Sequence, residues 1–195
     1  MTALAQHSAA TFEWGSPHDV VAMARHVLGR IECDPCTSEY WNNHVVKADA
    51  IYTEADSSLG RRRRHWTSDG VPVWRTFYIN PPGGLVHEFF RFATERWLEG
   101  SAVFWTGFSL EQVVYLQRMG FFFHGFRRVV PPRRLAFMRG VADRPQRSLF
   151  GEMPMDAPFQ VDDPTHGNYL LLMPSEQEQI ERFEGACALM PGEVF

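Results

Sequence analysis

The stretch from Thr76 to Gly84, which reads T-F-Y-I-N-P-P-G-G, constrains the fold of this chain more than any other. Its short apolar run ends at Asn80, and neither Pro81 nor Pro82 can donate a backbone hydrogen bond to a sheet. Because a residue before proline is held out of the α-helical region, Asn80 stays extended. The sequence therefore predicts a strand that ends in a rigid corner, where open α/β sheets bind their ligands.

The polar groups at this corner are the side-chain amide of Asn80 and the carbonyl of Pro81. Two neutral acceptors held side by side suit an amino group, and they do not suit a phosphate, a metal or an acyl carbon. An isolated N-P-P-G also occurs in plain strand-to-helix turns. The functional interpretation of the motif therefore depends on the rest of the chain.

Length and composition indicate one globular domain without a membrane anchor. The 195 residues are enough for a sizeable core, and the net charge is −4. The first eleven residues lack the basic and apolar regions of a signal peptide, and no apolar run is long enough to span a bilayer. Three cysteines, an odd number, agree with a reducing compartment. We therefore expect a cytoplasmic protein.

The order of apolar patterns predicts an α/β fold. Helical spacing is expected from Ser16 as cap to Gly29, after Thr37, over Leu85–Leu98, from Ser109 to Met119 and from a capping box of Ser175 with Glu178. Strands are expected at 31–34, 50–52, 75–80, 102–106, 121–126, 135–138 and 169–173. Strands and helices alternate first, and a strand pair closes the chain. This order predicts a doubly wound, mostly parallel sheet with an antiparallel closing hairpin.

The domain organisation follows from the same patterns. Residues 1–11 are expected to be a disordered lead-in, and 12–195 a single domain. Within that domain, 53–72 and 139–166 show little periodicity and are expected to form long loops.

A second strand end, Asp34-Pro35-Cys36, is stopped by proline in the same way as Asn80-Pro81-Pro82. In one parallel sheet the two ends would lie side by side at the carboxyl edge. The Asp34 carboxylate could there bind a ribose hydroxyl or an ammonium group, or it could simply cap the following helix.

Cys33 and Cys36 form a C-x-x-C, which is also typical of redox pairs and of half a zinc site. Strand alternation would turn Cys33 away from Asp34, and no second Cys or His pair has matching spacing, so we expect no metal. The motifs of nucleotide hydrolysis and of hydride transfer are absent from the sequence.

Arginines are clustered at Arg61–Arg64 and between Arg127 and Arg147, and Lys47 is the one lysine. A GC-rich coding bias would produce the same preference for arginine. Because guanidinium groups match phosphates and base edges, however, both clusters are candidate nucleic-acid contacts on an otherwise acidic protein.

Several motifs occur together in a fixed order. They are Trp14-Gly15-Ser16-Pro17, the stretch from Gly29 to Cys36, Val46-Lys47-Ala48 with Tyr52-Thr53, and Trp66 before Ile79-Asn80-Pro81-Pro82-Gly83. This set resembles the phage-type, Dam-like DNA N6-adenine methyltransferases, which show W-x-T-P, a D-x-D-P-A-like strand end, and N-P-P-Y or N-P-P-G-G. The likeness covers roughly residues 12–117. Arg134 to Phe137 and His166 to Tyr169 also look like the closing hairpin of that family.

The resemblance implies a single-domain, Rossmann-like methyltransferase of a phage or prophage in a bacterial host cell. It would transfer a methyl group from S-adenosylmethionine to the exocyclic N6 amine of adenine in DNA. The implied catalytic residues are Asn80, Pro81, Pro82 and Gly83. The implied cofactor-binding residues are Trp14, Ser16, Pro17, Asp34, Pro35, Cys36 and Asp56. The implied DNA contacts are Arg61, Arg62, Arg63, Arg64, Arg127, Arg128, Arg133, Arg134, Phe108 and Trp105.

Two positions depart from the family pattern. Gly83 stands where N-P-P-Y enzymes have an aromatic ring that stacks on the extruded base, so Phe108 or Trp105 would have to replace that ring. Ser16 replaces the threonine of W-x-T-P and keeps its hydroxyl. Other hypotheses are an inactive methyltransferase-like module that binds nucleic acid or a host protein, and a methyltransferase for a different or modified base, for RNA or for a small molecule. A homodimer is compatible with the sequence, and neither a membrane nor a metal partner is expected.

Overall fold

A computed structural model of the chain describes residues 14–53, 67–68, 71–107, 110–120, 125–131, 135, 137–139, 159–160 and 168–190. The strands are β1 (Trp14–Gly15), β2 (Cys33–Asp34), β3 (Ala50–Ile51), β4 (Thr67–Ser68), β5 (Val71–Pro72), β6 (Thr76–Ile79), β7 (Ala102–Gly107), β8 (Arg127–Val129), β9 (Met138–Arg139), β10 (Phe159–Gln160) and β11 (Tyr169–Met173). The α-helices are α1 (His18–Leu28), α2 (Glu39–Trp41), α3 (Val86–Leu98), α4 (Leu110–Arg118) and α5 (Gln177–Ala188). A π-helical turn (Asn42–Val46) follows α2, and a 3-10 turn (Gly83–Leu85) precedes α3.

The main sheet has six strands in the order β3-β2-β6-β7-β11-β8. The first four are mutually parallel, and β11 lies antiparallel to both β7 and β8. The chain runs outward from β2 to β3 and then returns to the other side of β2 to form β6. This reversal makes the gap between β2 and β6 the switch point of the sheet, where open α/β folds bind ligands at the carboxyl ends of their strands. The α/β class and the mostly parallel sheet are thus as the sequence predicts, and the topology is compatible with a Rossmann-like fold.

Apolar side chains from the two faces of the sheet form two core layers. Tyr78, Phe104 and Leu172 point toward α1 and α5, where Val27 and Phe183 are buried. Ile79, Trp105 and Leu171 point the other way and pack with Phe89 and Phe90 of α3. Both faces are covered, which explains why these strands are continuous apolar runs rather than alternating ones.

Three helix boundaries differ from the predicted ones. The helix expected to start at Ser16 begins at His18, and Ser16 forms no capping hydrogen bond. The second predicted helix becomes a single α-helical turn followed by a π-helical turn, because the Asn42 amide binds both the N–H and the C=O of Ala48 and bends the chain there. The closing helix has its capping box at Glu176 and Gln179, one residue later than predicted.

The closing strands also differ in their pairing. The sheet does end in antiparallel strands, but β11 pairs with β7 and β8 and not with the strand expected at 135–138. β9 joins a separate small sheet in the order β1-β9-β10. Of the strand expected at 121–126, residues 121–124 lie outside the described part, and the described strand β8 starts at Arg127.

Two segments predicted to be loops contain short strands. β4 and β5 form an antiparallel pair within 53–72, and β10 lies within 139–166. The rest of these segments and the lead-in at 1–11 lie outside the described residues, apart from Thr53 and Arg139.

Candidate active site at the carboxyl edge of the sheet

The two proline-stopped strand ends are neighbours at the switch point. β2 and β6 pair in parallel, with Cys33 opposite Phe77. Just beyond these strands, the Cys36 thiol donates a hydrogen bond to the main-chain carbonyl of Asn80 over 3.4 Å. The sequence prediction that the two polar tips meet at one edge is therefore confirmed by the pairing of the strands.

The corner after β6 has the extended geometry that two prolines impose. Pro82 has φ −62° and ψ 139°, and its carbonyl accepts the N–H of Leu85 over 2.9 Å, which closes the 3-10 turn before α3. The Asn80 side-chain oxygen and the Pro81 residue are buried. Gly83 is exposed, and a Cβ there would meet no heavy atom within 4 Å. The Asn80 oxygen is therefore covered, and the exposed part of the corner lies at Gly83 and Gly84.

Asp34 is a buried carboxyl group at this edge, only 2% exposed. Its Oδ1 accepts the N–H of Cys36 over 3.1 Å. Burial raises the pKa of Asp34 to about 7, although hydrogen bonds from Cys36 and Thr37 oppose the shift. A carboxyl with this pKa changes charge near neutral pH, and a cationic partner would hold it in the ionised form.

The C-x-x-C pair has no arrangement for redox or metal chemistry. Cys33 packs in the core on the α3 side, while Cys36 contacts the corner after β6. Burial raises the pKa of both thiols, which disfavours the reactive thiolate. Over the described residues, no group of three or more His, Cys, Asp or Glu side chains could hold a metal ion.

A buried hydroxyl network lies beside the same strand ends. The Tyr78 hydroxyl donates to the Ser16 oxygen over 2.5 Å and lies 3.2 Å from the hydroxyl oxygen of Thr106. Ser16 is 3% exposed, and Tyr78 and Thr106 are fully buried. Burial raises the pKa of Tyr78, and the negative charge of Asp34 adds to the shift. This network joins the start of α1 to the carboxyl ends of β6 and β7.

Asn168 is a second buried polar group at the edge. Its Oδ1 accepts the N–H of Leu135 over 3.0 Å, and its amide donates to the carbonyl of Gly107 over 3.3 Å. Sequence reasoning assigned no role to Tyr78, Thr106 or Asn168. The signal available for Tyr78 was a phenol inside an apolar strand, which needs a hydrogen-bond partner when buried.

The strand pairing and the hydrogen bonds of Ser16, Asp34 and Cys36 bring several residues implied by the resemblance to this edge. They are Ser16, Pro17, Asp34, Pro35, Cys36, Asn80, Pro81, Pro82 and Gly83. Trp14 lies in β1 and pairs with Arg139 of β9. The implied cofactor neighbour Asp56 and the implied DNA contacts Arg61, Arg62, Arg63, Arg64, Phe108, Arg133 and Arg134 lie outside the described residues.

Trp105 does not suit the role of a base-stacking residue. It is fully buried on the α3 side of the sheet, its indole N–H donates to the Tyr169 hydroxyl over 3.2 Å, and its ring meets Phe90 edge to face. Its place in a central strand explains this burial, because both faces of the sheet are covered. A nucleic-acid base could reach the ring only if the core were opened.

The two arginines of β8 have different environments. Arg127 forms an ion pair with Glu184 of α5 at 2.9 Å, so its charge is already matched by a carboxylate. Arg128 is exposed on this edge strand of the sheet. Of these two residues, Arg128 has the guanidinium that is more accessible to a phosphate.

No helix among the described residues is long and apolar enough to cross a membrane. In comparisons with protein-family models, with curated proteins and with solved structures, the chain has no match.

Proposed function

We propose that this protein transfers a methyl group from S-adenosylmethionine to the N6 amine of adenine in DNA. The observation that carries the proposal is the junction of Asp34 and Asn80 at the switch point of a mostly parallel sheet, joined through Cys36. This is where α/β folds bind ligands. The ordered motifs that resemble the Dam-like family supply the choice of reaction.

The reaction is proposed to use Asn80 and Pro81 as neutral acceptors. The exocyclic amine of adenine is a weak nucleophile because its lone pair is delocalised into the ring. The side-chain oxygen of Asn80 and the carbonyl of Pro81 would accept its two hydrogens and favour a tetrahedral nitrogen whose lone pair is free to react. This is catalysis by positioning and by preorganised dipoles, and it needs no group with an unusually low pKa.

The residues at the edge also fit the cofactor. When bound, S-adenosylmethionine supplies an electrophilic methyl group on a sulfonium. Asp34 offers a buried carboxyl that can pair with an ammonium or accept from a hydroxyl, and its raised pKa fits a group that is ionised by its ligand. Ser16 and Pro17 stand at the start of α1, where the helix dipole favours a negative group such as a carboxylate.

The acceptor base would have to leave the duplex, at a cost of about a few kcal/mol. Gly83 and Gly84 are exposed beside Asn80, which leaves room for a base at the corner. Arg128 is exposed and forms no ion pair with another described residue, and we propose that it contacts phosphates.

The direct test is transfer of a radiolabelled methyl group to DNA by the purified protein, followed by identification of the modified nucleoside. The Asn80→Ala variant is expected to lose transfer while still binding the cofactor. Asn43→Ala, which changes an exposed asparagine in the π-helical turn, is the matched control and should retain full activity. Full activity of Asn80→Ala would overturn the assignment.

The same assay separates the competing hypotheses. If the label is found on cytosine or on a modified base, that base and not adenine is the acceptor, and methyl transfer from S-adenosylmethionine remains the reaction. Binding of S-adenosylmethionine without transfer to any DNA or RNA would instead favour a binding module. Absence of cofactor binding would overturn the proposal as a whole.

A further inference from the structure

The Tyr78 hydroxyl stands at the centre of a chain of three hydrogen-bonded hydroxyl groups. A phenol has one hydrogen to donate, and that of Tyr78 is directed to the Ser16 oxygen. The contact between Tyr78 and Thr106 must then use the hydrogen of Thr106. The order is therefore Thr106 to Tyr78 to Ser16.

This order leaves the hydrogen of Ser16 to point away from Tyr78. Within the described part of the chain, the Ser16 hydroxyl meets the Tyr78 oxygen and has no acceptor of its own. The side chain is 3% exposed, so water is largely excluded from this donor. A buried hydroxyl that lacks an acceptor costs free energy until a ligand supplies one.

The groups around Ser16 indicate which kind of ligand group would accept the hydrogen bond of its hydroxyl. Ser16 directly precedes Pro17, the N-terminal cap of the eleven-residue helix α1, and in the first turn the Asp19 carboxylate accepts the N–H of Val20 over 2.9 Å. The helix dipole there favours a negative group, and a hydroxyl donor strengthens the preference. Cys33 pairs with Phe77 and both pack on the α3 side, so the next residues, Asp34 and Tyr78, share the opposite face of the sheet. The Asp34 carboxyl on this face suits a cationic group. A ligand with a carboxylate beside an ammonium, as in an amino acid, matches both features.

We propose that Tyr78 is a positioning residue that acts through Ser16 and makes the edge of the sheet selective for the amino-acid end of the cofactor. The inference rests on the proposed function and deepens it. Tyr78 and Thr106 hold the Ser16 hydroxyl as a donor toward the ligand carboxylate, while Asp34 receives the ammonium. Binding of the adenosyl part of the ligand does not depend on these three hydroxyl groups.

The test compares two ligands that differ in their amino-acid end. S-adenosylhomocysteine carries it, and 5′-methylthioadenosine lacks it but keeps the adenosyl and thioether groups. By calorimetric titration, Tyr78→Phe is expected to weaken binding of S-adenosylhomocysteine by about threefold to tenfold, the usual range for losing one neutral hydrogen bond, because Ser16 keeps its hydroxyl but is no longer held by Tyr78. Its affinity for 5′-methylthioadenosine should stay within about twofold of the unaltered protein.

Tyr169→Phe is the matched control, because Tyr169 is also a buried tyrosine whose hydroxyl is hydrogen-bonded, but to Trp105 on the α3 side of the sheet. It should bind both ligands as the unaltered protein does. If Tyr78→Phe fails to fold, Thr106→Val removes the first donor of the chain and should show the same selective loss.

A double-mutant cycle gives a second readout on S-adenosylhomocysteine alone. If Tyr78 acts through Ser16, then Ser16→Ala and Tyr78→Phe each weaken binding, and the double variant is no weaker than Ser16→Ala. Additive losses, equal loss of both ligands, or unchanged binding by Tyr78→Phe would overturn the inference and leave the proposed function standing. Failure of the unaltered protein to bind S-adenosylmethionine or S-adenosylhomocysteine would overturn both.

Discussion

The thiol of Cys36 donates to the main-chain carbonyl of Asn80, and this one contact joins the ends of two adjacent parallel strands. The two residues are 44 positions apart in the chain. The contact fixes how the corner after β6 stands relative to the buried carboxyl of Asp34, whose Oδ1 accepts the Cys36 N–H. The geometry of the candidate active site therefore depends on a residue that takes no part in the proposed reaction.

Cys36→Ala is expected to reduce methyl transfer by about tenfold to a hundredfold, because small displacements of a positioned group have effects of that order. The fold should lose only about 1 kcal/mol, the usual net worth of one hydrogen bond. Cys36→Ser keeps a donor at the same place and should retain most of the activity. Steady-state kinetics with urea unfolding measures both quantities, and equal activities of the Ala and Ser variants would contradict this role of the thiol.

The raised pKa of Asp34 predicts that the free energy of unfolding depends on pH. Its pKa is raised from 3.8 to about 7 in the fold, so at intermediate pH the folded protein keeps a proton that the unfolded chain has lost. The stability that this carboxyl contributes is complete below about pH 4 and is lost as the pH rises through about 7. Urea unfolding should therefore give a lower free energy of unfolding at pH 8 than at pH 4, by up to about 4 kcal/mol.

The control for this prediction is Asp34→Asn, which has no proton to lose. Its free energy of unfolding should change less between pH 4 and pH 8 than that of the unaltered protein. An identical pH dependence in the two proteins would assign the effect to other groups.

Cofactor binding should show the opposite trend with pH. If Asp34 pairs with the ammonium of S-adenosylmethionine, the carboxyl must be ionised to bind it. Affinity should then rise between pH 6 and pH 8, by about tenfold for a pKa near 7. Titrations at several pH values measure this rise. A rise of the same size in Asp34→Asn would show that the carboxyl is not the group responsible.

Gly107 lies at the end of β7, where a Cβ would overlap the ring of Tyr169. Gly107→Ala is therefore expected to destabilise the fold by about 1–3 kcal/mol through overpacking. Gly185→Ala in α5 is the matched control, since a Cβ there meets nothing within 4 Å and alanine favours a helix. It should leave stability unchanged or raise it by up to about 1 kcal/mol. Thermal unfolding of the two variants tests the difference.

The sequence predicts the part of this fold that local chemistry controls. The two prolines after Asn80 exclude any continuation of β6, and the residues of β11 form an apolar run whose length is typical of a buried strand. The strand end at Asp34 follows from Pro35 in the same way. To predict that these two strand ends are adjacent, one further rule is needed: parallel strands present their carboxyl ends at the same edge of a sheet.

Contacts between residues that are far apart in the chain could not be predicted from the sequence. Tyr78 and Ser16 are 62 positions apart, and nothing in either local pattern shows that they bond. For the same reason the sequence predicts Ser16 as a helix cap, because a serine before a helix fits the capping pattern whether or not it bonds a distant residue. Burial of Trp105 was also hidden, since alternation alone does not show that both faces of a sheet are covered.

The position of β11 has a consequence for how the molecule can be assembled. This strand is the last described strand along the chain, yet it lies inside the sheet with β7 on one side and β8 on the other. A chain that stops at residue 167 would leave the backbone groups of both neighbours open, and open strand edges recruit other chains. Such truncated products should aggregate, and a separately supplied peptide spanning 168–190 should restore their solubility by completing the sheet.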